Sequence, residues 1–121
     1  MRHHNSIRKF GRETGQRKAL MKSLALSLIK EERIKTTEAK AKELRPFIEK
    51  LVSKGKEEKL SARRLVNSRL INRKEETKKL FGSIAPRYKD IKGGYTRIIK
   101  TSARKSDAAP MVLIELIHPV K

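Results

Sequence analysis

The chain has 121 residues, carries 32 Lys and Arg against 13 Asp and Glu for a net charge of +19, and contains no cysteine. That length suits one domain with one modest core, and a hydrophobic share of 36% beside a charged share of 37% leaves little apolar material to spare. Disulfide and thiolate chemistry are excluded, and no apolar run approaches the ~20 residues of a membrane span; the longest, 111–117, is broken by Glu115.

The first stretch, MRHHNSIRKFGRETG, is basic and lacks the apolar centre of a secretory signal. Residues 1–13 read as a basic extended arm and 14–121 as a single globular domain. From Thr14 a helix is predicted, because Leu20, Leu24 and Leu28 recur every four residues with Met21, Ala25 and Ile29 beside them. Glu31 and Glu32 end that stripe, and residues 33–36 read as a short edge strand. Thr37 suits an N-cap and Glu38 places negative charge in the first turn of a second helix, 38–53. Its apolar positions are Ala41, Leu44, Phe47, Ile48, Leu51 and Val52, with a kink expected at Pro46 and a stop at Gly55.

A third helix, about 57–71, is expected from Leu60, Leu65, Val66 and Leu70, with Arg63, Arg64 and Arg69 outward. A fourth, about 73–84, turns Leu80, Phe81 and Ile84 inward and ends at Pro86. A strand follows from Tyr95, alternating Tyr95, Arg97, Ile99 with Thr96, Ile98, Lys100. A last strand from Met111 is apolar on both sides apart from Glu115, the pattern of an interior strand between two covered faces. The fold class is α+β, in the order α-β-α-α-α-β-β, with a small mixed sheet packed against helices.

The charge is unevenly placed. Residues 1–22 hold seven basic residues and one acid, residues 87–105 again seven against one, and residues 33–64 eleven against five, the mixture of a solvated helical face. The surplus therefore gathers in the arm and around the last hairpin. Its connection, Thr101-Ser102-Ala103-Arg104-Lys105 and onward, is far longer than a tight turn needs. Basic residues among Gly, Ser, Thr and Ala let backbone and cations approach a sugar–phosphate chain, and irregular cationic segments of this kind suit folded RNA better than duplex DNA. The connection reads as a finger. Candidate contacts from the arm and the start of the first helix are Arg2, His3, His4, Arg8, Lys9, Arg12, Arg17 and Lys18; those around the hairpin are Arg87, Lys92, Gly93, Gly94, Arg97, Lys100, Arg104 and Lys105. Gly93 and Gly94 have two readings, a flexible entry to the strand or a close backbone approach to phosphate. With so few aromatics (Phe10, Phe47, Phe81, Tyr88, Tyr95), phosphate contact dominates over stacking.

Catalysis finds no support. His3, His4 and His118 have no spacing to a carboxylate cluster, Asp90 and Asp107 are the only aspartates, and Asp107 beside Ser106 suits a turn. No nucleophile elbow or Walker pattern occurs. No metal, cofactor or small-molecule substrate is expected, and the first helix lacks the polybasic face of a membrane-surface helix. The rival readings are a DNA-binding architectural protein and an RNA-processing enzyme.

Met1-Arg2-His3, QRKAL at 16–20, ERIKTTEAKAKELRPFIEKLV at 32–52, GGYTRI at 93–98 and DAAPMVLIEL at 107–116 follow one another in a familiar order. Over nearly its whole length the chain resembles the bacterial-type large-subunit ribosomal protein L-seventeen family. The resemblance implies a structural, rRNA-binding protein of the large subunit near the peptide exit region, beside other large-subunit proteins, on the cytoplasmic ribosome in preference to an organellar one. It implies the same α-β-α-α-α-β-β order, residue 1 as the mature start, and RNA-facing roles for Arg2, His3, Arg12, Arg17, Lys40, Lys42, Arg97 and Arg104. The family often has His where Gln16 stands, Asn where Ser23 stands and Gly where Ser106 stands. Without that glycine, a left-handed turn just before Asp107 loses its natural residue.

Overall fold

The computed structural model describes residues 13–118, so all but the last residue of the basic arm lies outside it. Helix α1, Thr14–Glu31, buries Ala25, Leu28 and Ile29 on one side, the inner part of the stripe the spacing predicts. It stops at Glu32, whose backbone turns left-handed (φ 62°) while its N–H returns to the Leu28 carbonyl at 2.7 Å. Strand β1, Arg33–Thr37, leads directly into α2, Glu38–Gly55. Thr37 is the cap: its hydroxyl accepts the Lys40 N–H at 3.4 Å, which satisfies one of the orphan donors of the first turn.

Helix α2 is the central support. Ala41, Leu44, Ile48, Leu51 and Val52 are all but fully buried, and the helix runs unbroken through Pro46. Pro46 lies on the exposed side, where the carbonyl deprived of its partner can bond to water. Gly55 is the last helical residue rather than a left-handed stop. A Cβ there would sit 3.0 Å from the Ala85 Cβ and 3.6 Å from the Leu80 Cγ, so its glycine answers to close packing.

Helix α3, Leu60–Arg69, is shorter than its apolar pattern predicts. Glu58 before it and Ile71 and Asn72 after it are left-handed, and these turns cut the helix at both ends. What it buries is the row Ala62, Val66, Leu70, four apart, whereas Leu60 and Leu65 lie off that row and are 63% and 36% exposed. Helix α4, Lys74–Lys79, widens into a π-helical turn over Leu80–Ile84 and tightens into a 3₁₀ turn over Ala85–Tyr88. Leu80, Ile84 and Tyr88 are thereby all carried into the core. Pro86 does not end the helical path before it; it starts the 3₁₀ turn, where its missing N–H costs nothing.

Strands β2, Thr96–Lys100, and β3, Met111–Leu116, form the hairpin, and β1 pairs with the free edge of β3, giving the order β1-β3-β2. The chain is α+β in the expected order, with β1 at an edge and β3 in the middle. The sheet is antiparallel throughout rather than mixed. β1 and β2 do run the same way, but β3 lies between them, so no parallel pair forms. Ile34, Ile114 and Ile98 share a register row and face the helices. The next row on the other side, Lys35, Leu113, Ile99, faces outward, and Ile99 is 36% exposed, so the sheet has one covered face rather than two.

The fit around Gly55 gives a stability test. Gly55→Val forces branched carbons into Ala85 and Leu80, and thermal and urea unfolding should show a loss of roughly 1–3 kcal/mol. An unchanged midpoint would mean that the contact between α2 and the turn after α4 yields freely.

Candidate nucleic-acid interface

The connection between β2 and β3, residues 101–110, is folded rather than loose. The Thr101 N–H and hydroxyl both donate to the Met111 carbonyl at 3.0 Å, extending the ladder by one step. The Arg104 N–H then donates to Ala109 O at 2.9 Å and the Ala108 N–H returns to Arg104 O at 2.7 Å. Asp107 fastens the tip: Arg104 donates to both its carboxylate oxygens, Nε at 2.8 Å and Nη2 at 2.6 Å, and the Ala109 N–H adds a third bond at 3.3 Å. The Arg104 guanidinium holds the Asp107 carboxyl down to about 2. The left-handed residue is Ala108, after Asp107, so the turn does not need glycine at Ser106. At its base the Pro110 carbonyl accepts the Glu38 N–H at 3.0 Å, tying the finger to the start of α2. Lys100 and Lys105 are exposed and have no ion-pair partner among the described residues.

Arg97 has a different setting. Arg33, Glu115 and Arg97 occupy one register row across the three strands on the open face. Arg33 donates Nε to Glu115 Oε2 at 2.8 Å, and Arg97 donates Nε to Oε1 at 2.8 Å and adds a second bond through Nη2. Glu115 is only 6% exposed beneath these two half-exposed guanidinium groups. The Arg97 hydrogen bonds, then those of Arg33, hold its carboxyl below the usual carboxylate range against the opposing effect of burial. Arg97 is outward and cationic, as its alternation predicts, and it is also part of a clamp across the sheet.

Arg87 is likewise engaged. It bonds Glu32, which also has Lys79 at 3.6 Å and His118 Nε2 at 3.8 Å. The Arg87 hydrogen bond lowers the Glu32 carboxyl pKa despite burial, with Lys79 and His118 adding to it. Lys42 pairs with Glu38 at 2.9 Å one turn away, and Lys40 is half-buried, its backbone N–H in the Thr37 cap. Lys92, Gly93 and Gly94 are exposed. Gly94 is left-handed (φ 67°), and the next residue, Tyr95, gives its N–H to Glu49 Oε1 at 3.1 Å while the Thr96 hydroxyl joins it at 3.3 Å. Arg17 and Lys18 lie on the first turns of α1, Lys18 exposed and Arg17 half-buried. Arg2, His3, His4, Arg8, Lys9 and Arg12 lie outside the described residues.

Four cations outside the candidate set join it in space. Lys22, Lys50 and Arg69 stand with Arg17 and Lys18 around one concavity between α1, α2 and α3. Lys50 and Arg69 also border a second concavity, together with Lys54, Lys92 and Gly93. Lys50 and Lys54 fall in the mixed-charge stretch, where the nearby carboxylates mask them; the helical spacing of Lys18 and Lys22, four apart, is the local signal that marks one face of α1.

Residues 20–117 match the family model described as Ribosomal protein L17. The chain belongs to the ribosomal protein L17 family. It is 51% identical over 117 residues to the large ribosomal subunit protein bL17 of Wolinella succinogenes, covering 97% of this chain and 100% of that one. The bL17 of Fusobacterium nucleatum subsp. nucleatum is 51% identical over 118 residues, with the same two coverages, 97% and 100%. That of Novosphingobium aromaticivorans is 52% identical over 117 residues, covering 97% of this chain and 82% of the relative. Family membership makes the chain a structural component and not an enzyme.

The clamp on Glu115 predicts an acid-side effect. A carboxylate whose pKa is depressed by folding stabilises the fold above its unfolded value, and that stabilisation is lost as pH falls through the folded value. Arg97→Ala removes the larger of the two causes of the depression, so the acid-unfolding midpoint, followed by circular dichroism, should move to higher pH. An unchanged midpoint would show that Arg33 alone suffices.

Proposed function

We propose that the protein is a constituent of the large ribosomal subunit that binds large-subunit rRNA through its basic N-terminal arm and its hairpin finger, packing rRNA segments near the peptide exit region beside neighbouring ribosomal proteins. The observation that carries this reading is the match to the ribosomal protein L17 family across residues 20–117 in a chain of net charge +19. The bacterial relatives that bear the name are proteins of the large subunit, and the cytoplasmic ribosome is the corresponding location for this chain. No helix among the described residues is long and apolar enough to cross a membrane.

The chemistry is electrostatic and geometric. Lys92, Lys100 and Lys105, free of ion pairs among the described residues, neutralise phosphates directly and release the counterions that these hold. Arg97 has a carboxylate partner, yet that partner is shared with Arg33. The cluster of two guanidinium groups on one carboxylate keeps a net positive charge on the open face of the sheet. Arg104 serves first to shape the finger through Asp107, and the finger then offers Lys105 and its backbone to the RNA. The arm contributes Arg2, Arg8, Lys9 and Arg12 with His3 and His4.

Two measurements test the reading. Cell extract sedimented through a gradient should show the protein with large subunits; recovery in the free fraction alone would contradict it. Removing residues 1–13 should leave helical content intact and impair assembly into the subunit, and normal assembly of the shortened chain would exclude an anchoring arm.

A further inference from the structure

The concavity between α1, α2 and α3 is the feature that the arm and the finger do not explain. Arg17, Lys18 and Lys22 come from α1, Lys50 from α2 and Arg69 from α3, and together they rim a floor that includes Met21 and Phe47. No carboxylate lines it, and none of the five cations forms an ion pair among the described residues. Three separate helices must pack together to bring these charges side by side, at a cost in mutual repulsion that no carboxylate in the lining offsets. We propose that this concavity is a third RNA contact, a seat for an unpaired nucleotide of rRNA whose phosphates meet the cationic rim and whose base lies on Phe47 and Met21.

The shape of the charge selects the ligand. An unpaired nucleotide carries an anionic backbone on one side and a flat, uncharged ring on the other, which matches a cationic rim over a partly aromatic floor. An acidic peptide would match the rim and has no obligatory flat group for the floor. The preceding residues 1–12 hold four Lys and Arg and no acid, so like charge argues against the arm filling the seat itself. Lys50 and Arg69 also border the adjoining concavity with Lys54, Lys92 and Gly93, where Glu49 and Glu57 are lining residues too and Glu57 pairs with Lys54 at 3.3 Å, so a strand leaving the seat would follow Lys50, Arg69 and Lys92 toward the start of β2. The inference rests on the rRNA-binding reading above and adds to it a contact on the helical side.

The test compares full-length variants titrated with a large-subunit rRNA transcript at several salt concentrations. The triple change Lys22→Ala, Lys50→Ala, Arg69→Ala should reduce the salt slope by about two to three and weaken binding about tenfold or more at low salt. The triple change Arg73→Ala, Lys74→Ala, Lys78→Ala removes equal charge from exposed positions elsewhere and should leave the slope nearly unchanged. Phe47→Leu keeps the charge and most of the packing; it should preserve the slope and weaken binding of single-stranded oligoadenylate by roughly 5- to 100-fold. The proposal is overturned if the two triple variants have equal slopes, if Phe47→Leu binds oligoadenylate as the parent chain does, or if the first triple variant loses affinity for polyglutamate while keeping it for RNA. A parent chain that does not bind the transcript at all would instead sink the rRNA-binding reading itself.

Discussion

Scarcity of negative charge governs this molecule. With 13 carboxylates against 32 Lys and Arg, most cations cannot be paired internally, and where the carboxylates sit decides what holds. Four of them stand at joints between elements. Glu115 links the three strands through Arg33 and Arg97, and Glu49 anchors the start of β2 to α2 through the Tyr95 N–H and the Thr96 hydroxyl. Glu32 gathers Arg87, Lys79 and His118 where α1 ends and the last strand leaves the sheet, and Asp107 closes the finger. Isolated surface pairs contribute little, but a carboxylate as covered as Glu115 would be costly to bury without its two guanidinium partners. The apolar core on α2 supplies the bulk of the stability, and these joints fix how the basic surfaces are presented.

That division separates two kinds of cation. Those with a carboxylate partner, such as Arg33, Arg87 and Arg104, set geometry. Those without one among the described residues, such as Lys100, Lys105, Lys50 and Arg69, are left to repel each other or to meet a polyanion. A structural ribosomal protein benefits from the combination, since a shaped finger loses less conformational freedom on binding than a slack loop would. The cost is a free chain weakened by its own charge.

Much of the architecture is legible in the sequence because it is local. The four-residue recurrence in α1, the Thr37 cap with Glu38 after it, and the alternation in β2 each act within a turn or two, and all appear in the structure. The misreadings come from relations that local spacing does not contain. Leu60 and Leu65 have helical spacing but miss the row that meets α2, and the apolar second face of β3 stays open because no element returns to cover it fully. A parallel neighbour for the sheet was a topological question, settled by β3 inserting between β1 and β2. At the candidate interface the sign of the charge is readable and its partners are not: Arg33 meets Glu115 across 82 positions and Arg87 meets Glu32 across 55. For the same reason Lys22, Lys50 and Arg69 look like ordinary solvated cations until the three helices assemble.

Uncompensated positive charge at this density makes a binding surface whose repulsion a folded polyanion relieves. Thermal unfolding of the full chain, with and without large-subunit rRNA over a series of salt concentrations, addresses it most directly. The midpoint should rise clearly with the RNA at moderate ionic strength, the rise shrinking as salt increases, while the midpoint of the RNA-free chain climbs with salt. A midpoint indifferent to the RNA at every ionic strength would contradict it.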